Sequence, residues 1–92
     1  MKVKSITIEG DTGYRAVISI GASPEETQNN DLYIRCEIYD AKGEIVNIHL
    51  ASPDDRDDQF SLAECIQYHL DGCRGTNSMV HTYFREIERF AN

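Results

Sequence analysis

No stretch of this sequence is apolar for anything near the ~20 residues that a membrane span requires. Met1 leads almost at once into alternating strand pattern, without the apolar core of a signal peptide, so the expected setting is the cytoplasm, with no processing and no membrane partner. Positive charge is scarce as well: nine Lys and Arg stand against 16 Asp and Glu, for a net charge of -7 and a pI near 4.7. A local basic patch is missing, which speaks against binding free duplex DNA and in favour of basic partner proteins. Cysteine is sparse and odd in number: Cys36, Cys65 and Cys73 cannot all pair within one chain, and they read as reduced thiols. Nucleophile motifs are lacking too. There is no Gly-x-Ser-x-Gly, no Cys-His motif and no phosphate loop, and His49, His69 and His81 each fall where packing or solvation explains them, so no enzyme is expected.

What is present is a domain's worth of pattern. At 92 residues the chain can bury ~60% of its unfolded surface, enough for one core and one domain spanning residues 1–92. Leu32, Ile34, Cys36 and Ile38 alternate with Tyr33, Arg35, Glu37 and Tyr39, the period of a strand with one wet face. Val46, Ile48 and Leu50 repeat the alternation against Ile45, Asn47 and His49, and are expected to point into the core. Asp40-Ala41-Lys42-Gly43 closes the two runs into a hairpin. An earlier hairpin is expected from Lys2–Glu9 and Tyr14–Ile20 around Gly10-Asp11-Thr12-Gly13, with Ile6 and Ile8 on one face of the first strand and Val3, Ser5 and Thr7 on the other. The polar segment from Gly21 to Asp31 joins the hairpins by a loop longer than most.

Pro53 stops the fourth strand, and Asp54-Asp55-Arg56-Asp57-Asp58 follows it. Ser61 and Glu64 have the spacing of a capping box, so a short helix is expected to start at Ser61 and to end at Gly72, with Leu62, Cys65, Ile66, His69 and Leu70 on one face. A second helix is expected from Ser78 to the end, capped by Thr76 or Asn77, with Val80, Tyr83, Phe84, Ile87 and Ala91 as its apolar stripe. The fold class that results is α+β: a four-stranded antiparallel sheet of two successive hairpins, with two C-terminal helices packed on one face.

Candidate chemistry is thin. Cys65, His69 and Cys73 stand four apart, yet Gly72 ends the helix before Cys73 and a fourth ligand is missing, so no metal and no cofactor are expected. A calcium loop fails on spacing at Asp54–Asp58, where Arg56 and Phe60 occupy positions that need oxygen or glycine. Asp57 and Asp58 suit a helix N-terminus, whereas Asp54 and Asp55 exceed what the helix dipole explains. Asp54, Asp55, Asp57 and Asp58 therefore form a candidate docking point for lysines and arginines, with Glu25, Glu26 and Asp31 of the long loop as a second contact. Tyr33 and Tyr39, on the outer face of the sheet, are candidate anchors for a partner.

In layout the chain resembles the small phage-encoded anti-CRISPR proteins that act on the type I-F (Csy) surveillance complex. The residues that carry the likeness are Met1 feeding straight into a hairpin, a second hairpin through Asp40-Ala41-Lys42-Gly43, the acidic bridge at Asp54–Asp58, and two terminal helices starting at Ser61 and Ser78. That group has no shared sequence motif, so the likeness is one of architecture. It implies a stoichiometric inhibitor in the bacterial host cell during phage infection, monomeric when free, which docks on Cas subunits displaying the guide RNA and blocks target DNA hybridisation or docking. Arg74, Arg85 and Arg89 depart from a purely acidic surface; they could touch guide-RNA phosphates, or complement a helix C-terminus and nearby glutamates. The other reading is an acidic antitoxin or immunity-type module that masks a basic partner protein.

Overall fold

Two hairpins of one construction build the sheet. Strand β1 (Lys4–Glu9) turns into β2 (Arg15–Ala22), and β3 (Leu32–Tyr39) turns into β4 (Ile45–Ala51). In the first turn Gly10 N–H donates to the Tyr14 carbonyl and Gly13 N–H to that of Gly10; Asp40, Gly43 and Glu44 repeat the scheme in the second. Gly13 (φ 85°) and Gly43 (φ 88°) take the left-handed position that such turns need. The Asp40 carboxylate also accepts from the N–H groups of Lys42 and Glu44, at 2.9 Å each. The strands pair antiparallel in the order β1-β2-β3-β4. These details come from a computed structural model that describes residues 4–22, 32–72 and 77–91. Of the residues singled out above, Met1, Lys2, Val3, Glu25, Glu26, Asp31, Cys73, Arg74 and Thr76 lie outside the described ones.

Two helices, α1 (Arg56–Leu70) and α2 (Asn77–Ala91), complete an α+β fold. α1 lies on β2, β3 and β4, and α2 packs chiefly against α1. One core results, made of Ala16 and Ile18 from β2, Ile34, Cys36 and Ile38 from β3, Leu62, Ala63, Ile66 and Leu70 from α1, and Tyr83, Ile87 and Phe90 from α2. Among the described residues, no helix or strand packs on the sheet face away from the helices.

Strand β4 corrects the expected facing. Tyr39 pairs with Ile45, but Ile38 pairs with Asn47, so Val46 is an extra residue on its strand. This bulge reverses the parity of all that follows, because side chains alternate with a period of two. Asn47 and His49 turn toward the helices and Ala51 is buried, whereas Val46, Ile48 and Leu50 are 44%, 48% and 48% exposed on the open face. The reason lies at the end of the strand. There the chain turns at once into α1, and buried Gln59 reaches back to the carbonyls of Ser52 and Pro53. Ala51, 2% exposed, fits under that junction; an unbulged strand would present Leu50 there instead.

The start of α1 is a second correction. The helix runs for 15 residues from Arg56 and is capped by Asp55, whose extended backbone (φ -110°, ψ 107°) lets its carboxylate accept from the N–H groups of Asp57 and Asp58. A carboxylate one residue before the helix satisfies two orphan donors and meets the positive end of the dipole, so it outcompetes Ser61. Ser61 is an exposed residue inside the helix. The other end agrees with expectation: Asp71 N–H closes on the Gln67 carbonyl, and Gly72 follows at φ 62°. That end is clamped to the first hairpin, since Thr12 donates its hydroxyl to the carbonyls of His69 (2.9 Å) and Leu70 (3.1 Å). A Cβ on Gly10 would come within 2.3 Å of the Leu70 oxygen, so only glycine fits that approach.

Candidate protein-binding surface

Four aspartates gather at the N-terminus of α1, and two of them have structural work. Asp55 is the cap, and Asp58 accepts from the Ser52 N–H at 3.3 Å, which ties the helix to the end of β4. Asp54 and Asp57 are exposed, and their carboxylates have no hydrogen-bond or ion-pair partner among the described residues. Arg56 offers the run no compensation. It turns toward α2, where it pairs with Glu88 and lies over the Phe84 ring at 5.3 Å. The one cation within the acidic stretch is thus spent on holding two helices together, and the carboxylates face solvent without a counter-charge.

The helices run antiparallel through that contact and through Phe60, which meets Phe84 edge-on at 5.3 Å. The C-terminal half of α2 therefore lies beside the N-terminus of α1. Arg85 and Arg89 belong to that half of α2. Arg89 is 3.7 Å from Glu86, the local pairing that one reading of it expected, while Arg85 is exposed with no ion pair among the described residues.

Tyr33 and Tyr39 are elsewhere, half-buried on the open sheet face. Tyr39 is already engaged: Arg15 lies 4.5 Å above its ring, and its hydroxyl donates to Glu37, which also pairs with Arg35 at 3.2 Å. Desolvation, and then the bond to Glu37, raise its phenol above the ordinary value. This network sets two guanidinium groups, one ion-paired and one over a ring, around a single carboxylate in the middle of the face. Beside it runs the row Ile45, Val46, Ile48 and Leu50, which sequence reasoning placed largely in the core. The signal that could have found the row was the apolar pair Ile45-Val46, which no strict alternation accommodates.

On the other face, Asn47 donates toward Cys65 (3.7 Å) and lies 3.4 Å from His69 Nε2. The Cys36 and Cys65 thiols are poor nucleophiles in this setting. Burial, followed by the neighbouring Cys65 and Glu37, pushes Cys36 up to about 12, and burial raises Cys65 also. His69 is held below its ordinary value by burial, stacked on Tyr14 and edge-on to Tyr68. Among the described residues no three His, Cys, Asp or Glu converge on a metal position, and no helix is long and apolar enough to cross a membrane. No protein-family model matches this sequence, and neither a curated protein nor a solved structure matches it.

Proposed function

We propose that this protein acts by stoichiometric binding, without catalysis, as a cytoplasmic inhibitor that lays its acidic end on a lysine- and arginine-rich protein surface. The observation that carries the reading is the state of Arg56: its pairing with Glu88 leaves Asp54 and Asp57 uncompensated at a helix N-terminus where Asp55 and Asp58 add further charge. Carboxylates in that condition attract cations at range and form charge-assisted bonds on contact. The partner that the anti-CRISPR resemblance of the sequence suggests is the Cas protein backbone of a type I-F surveillance complex. Its basic residues are meant for phosphates, and an acidic domain occupying them would keep target DNA out. Arg85, exposed and without an ion pair among the described residues, is a candidate for contact with a guide-RNA phosphate. Glu25, Glu26, Asp31 and Arg74 remain candidates for secondary contacts.

The experiment is a pull-down by the tagged chain against assembled type I-F complex and against its separate subunits, with a target-DNA binding assay alongside. The expected result is retention of the complex and loss of DNA binding at about one inhibitor per site. Retention of a different basic protein from a lysate, with no effect on the complex, would instead support the antitoxin or immunity-type reading.

A further inference from the structure

Strands at the edge of a sheet ordinarily carry a charge, a proline or some other device against pairing with a second chain. β1, at one edge, begins with Lys4 and ends with Glu9. β4, at the other, reads Ile-Val-Asn-Ile-His-Leu-Ala, with no lysine, arginine, carboxylate or proline, and its bulge at Val46 leaves residues 47–51 regular. Its row of half-exposed aliphatic side chains stands on the open face. The pattern is also symmetric about Ile48: Asn47 and His49 flank it on the helix side, Val46 and Leu50 on the outer side.

We propose that β4 pairs antiparallel with β4 of a second copy about a two-fold axis at Ile48, joining two four-stranded sheets into one. Residues directly opposite in an antiparallel pair share a face. In this register Ile48 meets its own copy, Val46 meets Leu50, and Asn47 meets His49, so across residues 46–50 apolar side chains meet apolar ones and polar side chains polar ones, while Ile45, before the bulge, falls opposite buried Ala51. A one-residue slip destroys both matches. A strand from another protein finds no such symmetry, which is why a second copy is the occupant. Four half-exposed aliphatic chains offer on the order of 300 Å² per copy, well under the ~800 Å² a side of a standard stable interface. The bulge at Val46 shortens the pairing further. The dimer is therefore weak, and the chain is a monomer at low concentration. Glu44 of each copy approaches the Ser52–Asp54 segment of the other, so salt strengthens this association. Salt has the opposite effect on docking to a basic partner, and the two ideas stand or fall separately.

Sedimentation equilibrium of the full chain from about 10 µM to about 1 mM tests it. The expected result is a dimer at the upper end, with its fraction rising as NaCl is raised from about 0.05 M to about 0.5 M. Ile48→Lys, with circular dichroism like that of the parent, should weaken association about tenfold or more. Under mild oxidant Ile48→Cys should form a covalent dimer that neither the parent, with its own cysteines, nor Leu50→Cys forms, because only residue 48 meets itself. A chain monomeric throughout the range, an Ile48→Lys variant that associates like the parent, or cross-linking of Leu50→Cys in preference to Ile48→Cys would overturn the proposal.

Discussion

Asp55, Ser61 and His69 are the residues on which the local account rests. Asp55→Ala removes the acceptor for two helix N–H groups and should cost about 1 kcal/mol, whereas Ser61→Ala, at an exposed position inside the helix, should be neutral or slightly stabilising. Urea unfolding of both variants checks the order, and a cost at Ser61 without one at Asp55 would restore the later helix start. His69 sets a pH dependence. Its burial favours the neutral ring, so its folded value lies below the ordinary 6.5 and the unfolded chain takes up a proton first as pH falls. The stability it contributes is present above about 6.5 and is lost as pH drops below. In His69→Gln the fall in urea midpoint between pH 7 and pH 5 should be smaller than in the parent. At this scale the sequence was partly legible. Gly72 announced the helix end through its need for positive φ, but the capping box at Ser61 hid the cap at Asp55, because a run of four aspartates offers several candidates and the backbone alone decides among them. Phe90, 9% exposed, also escaped notice, sitting between charged Arg89 and the chain end.

At the scale of elements, β4 is where pattern and structure part. Every other strand obeys its alternation, and Ile6, Ile8, Ile18, Ile34 and Ile38 face the helices as their spacing implies. In β4 the bulge at Val46 reverses the faces, and alternation cannot report a residue that belongs to neither phase. Paired substitutions show the difference. Ile38→Ala empties a fully buried site and should cost about 2 to 5 kcal/mol, while Ile48→Thr, half-exposed on a strand, should stay within about 0.5 kcal/mol. Equal losses at the two positions would mean that Ile48 is in the core and that the bulge is absent. The clamp of Thr12 and Gly10 on the C-terminus of α1 was not legible either, since it joins residues 57 and 58 positions apart. Nothing local in a Gly-Asp-Thr-Gly turn indicates which helix end it will cap.

Across the whole molecule the fold separates charge by use. Arg35 pairs with Glu37 and Arg15 lies over the Tyr39 ring on the open sheet face, Arg56 and Glu88 hold the helices together, and Asp54 and Asp57 are left over at one end. Composition foretold the acidic excess, and the cluster of aspartates foretold where it would lie. Which carboxylates are free could be seen only once Arg56 was found to face α2, because in sequence it stands amid the very charges it abandons. The central claim is that these free carboxylates bind a basic protein surface. It is tested most directly by titrating the captured partner with the parent and with Asp54→Asn/Asp57→Asn over a series of salt concentrations. Asparagine keeps side-chain size and leaves the Asp55 cap in place, so the fold is retained. The account predicts that the variant binds about tenfold or more weakly at low salt, and that its affinity changes much less with salt than that of the parent. Equal affinities and equal salt slopes for the two proteins would contradict it.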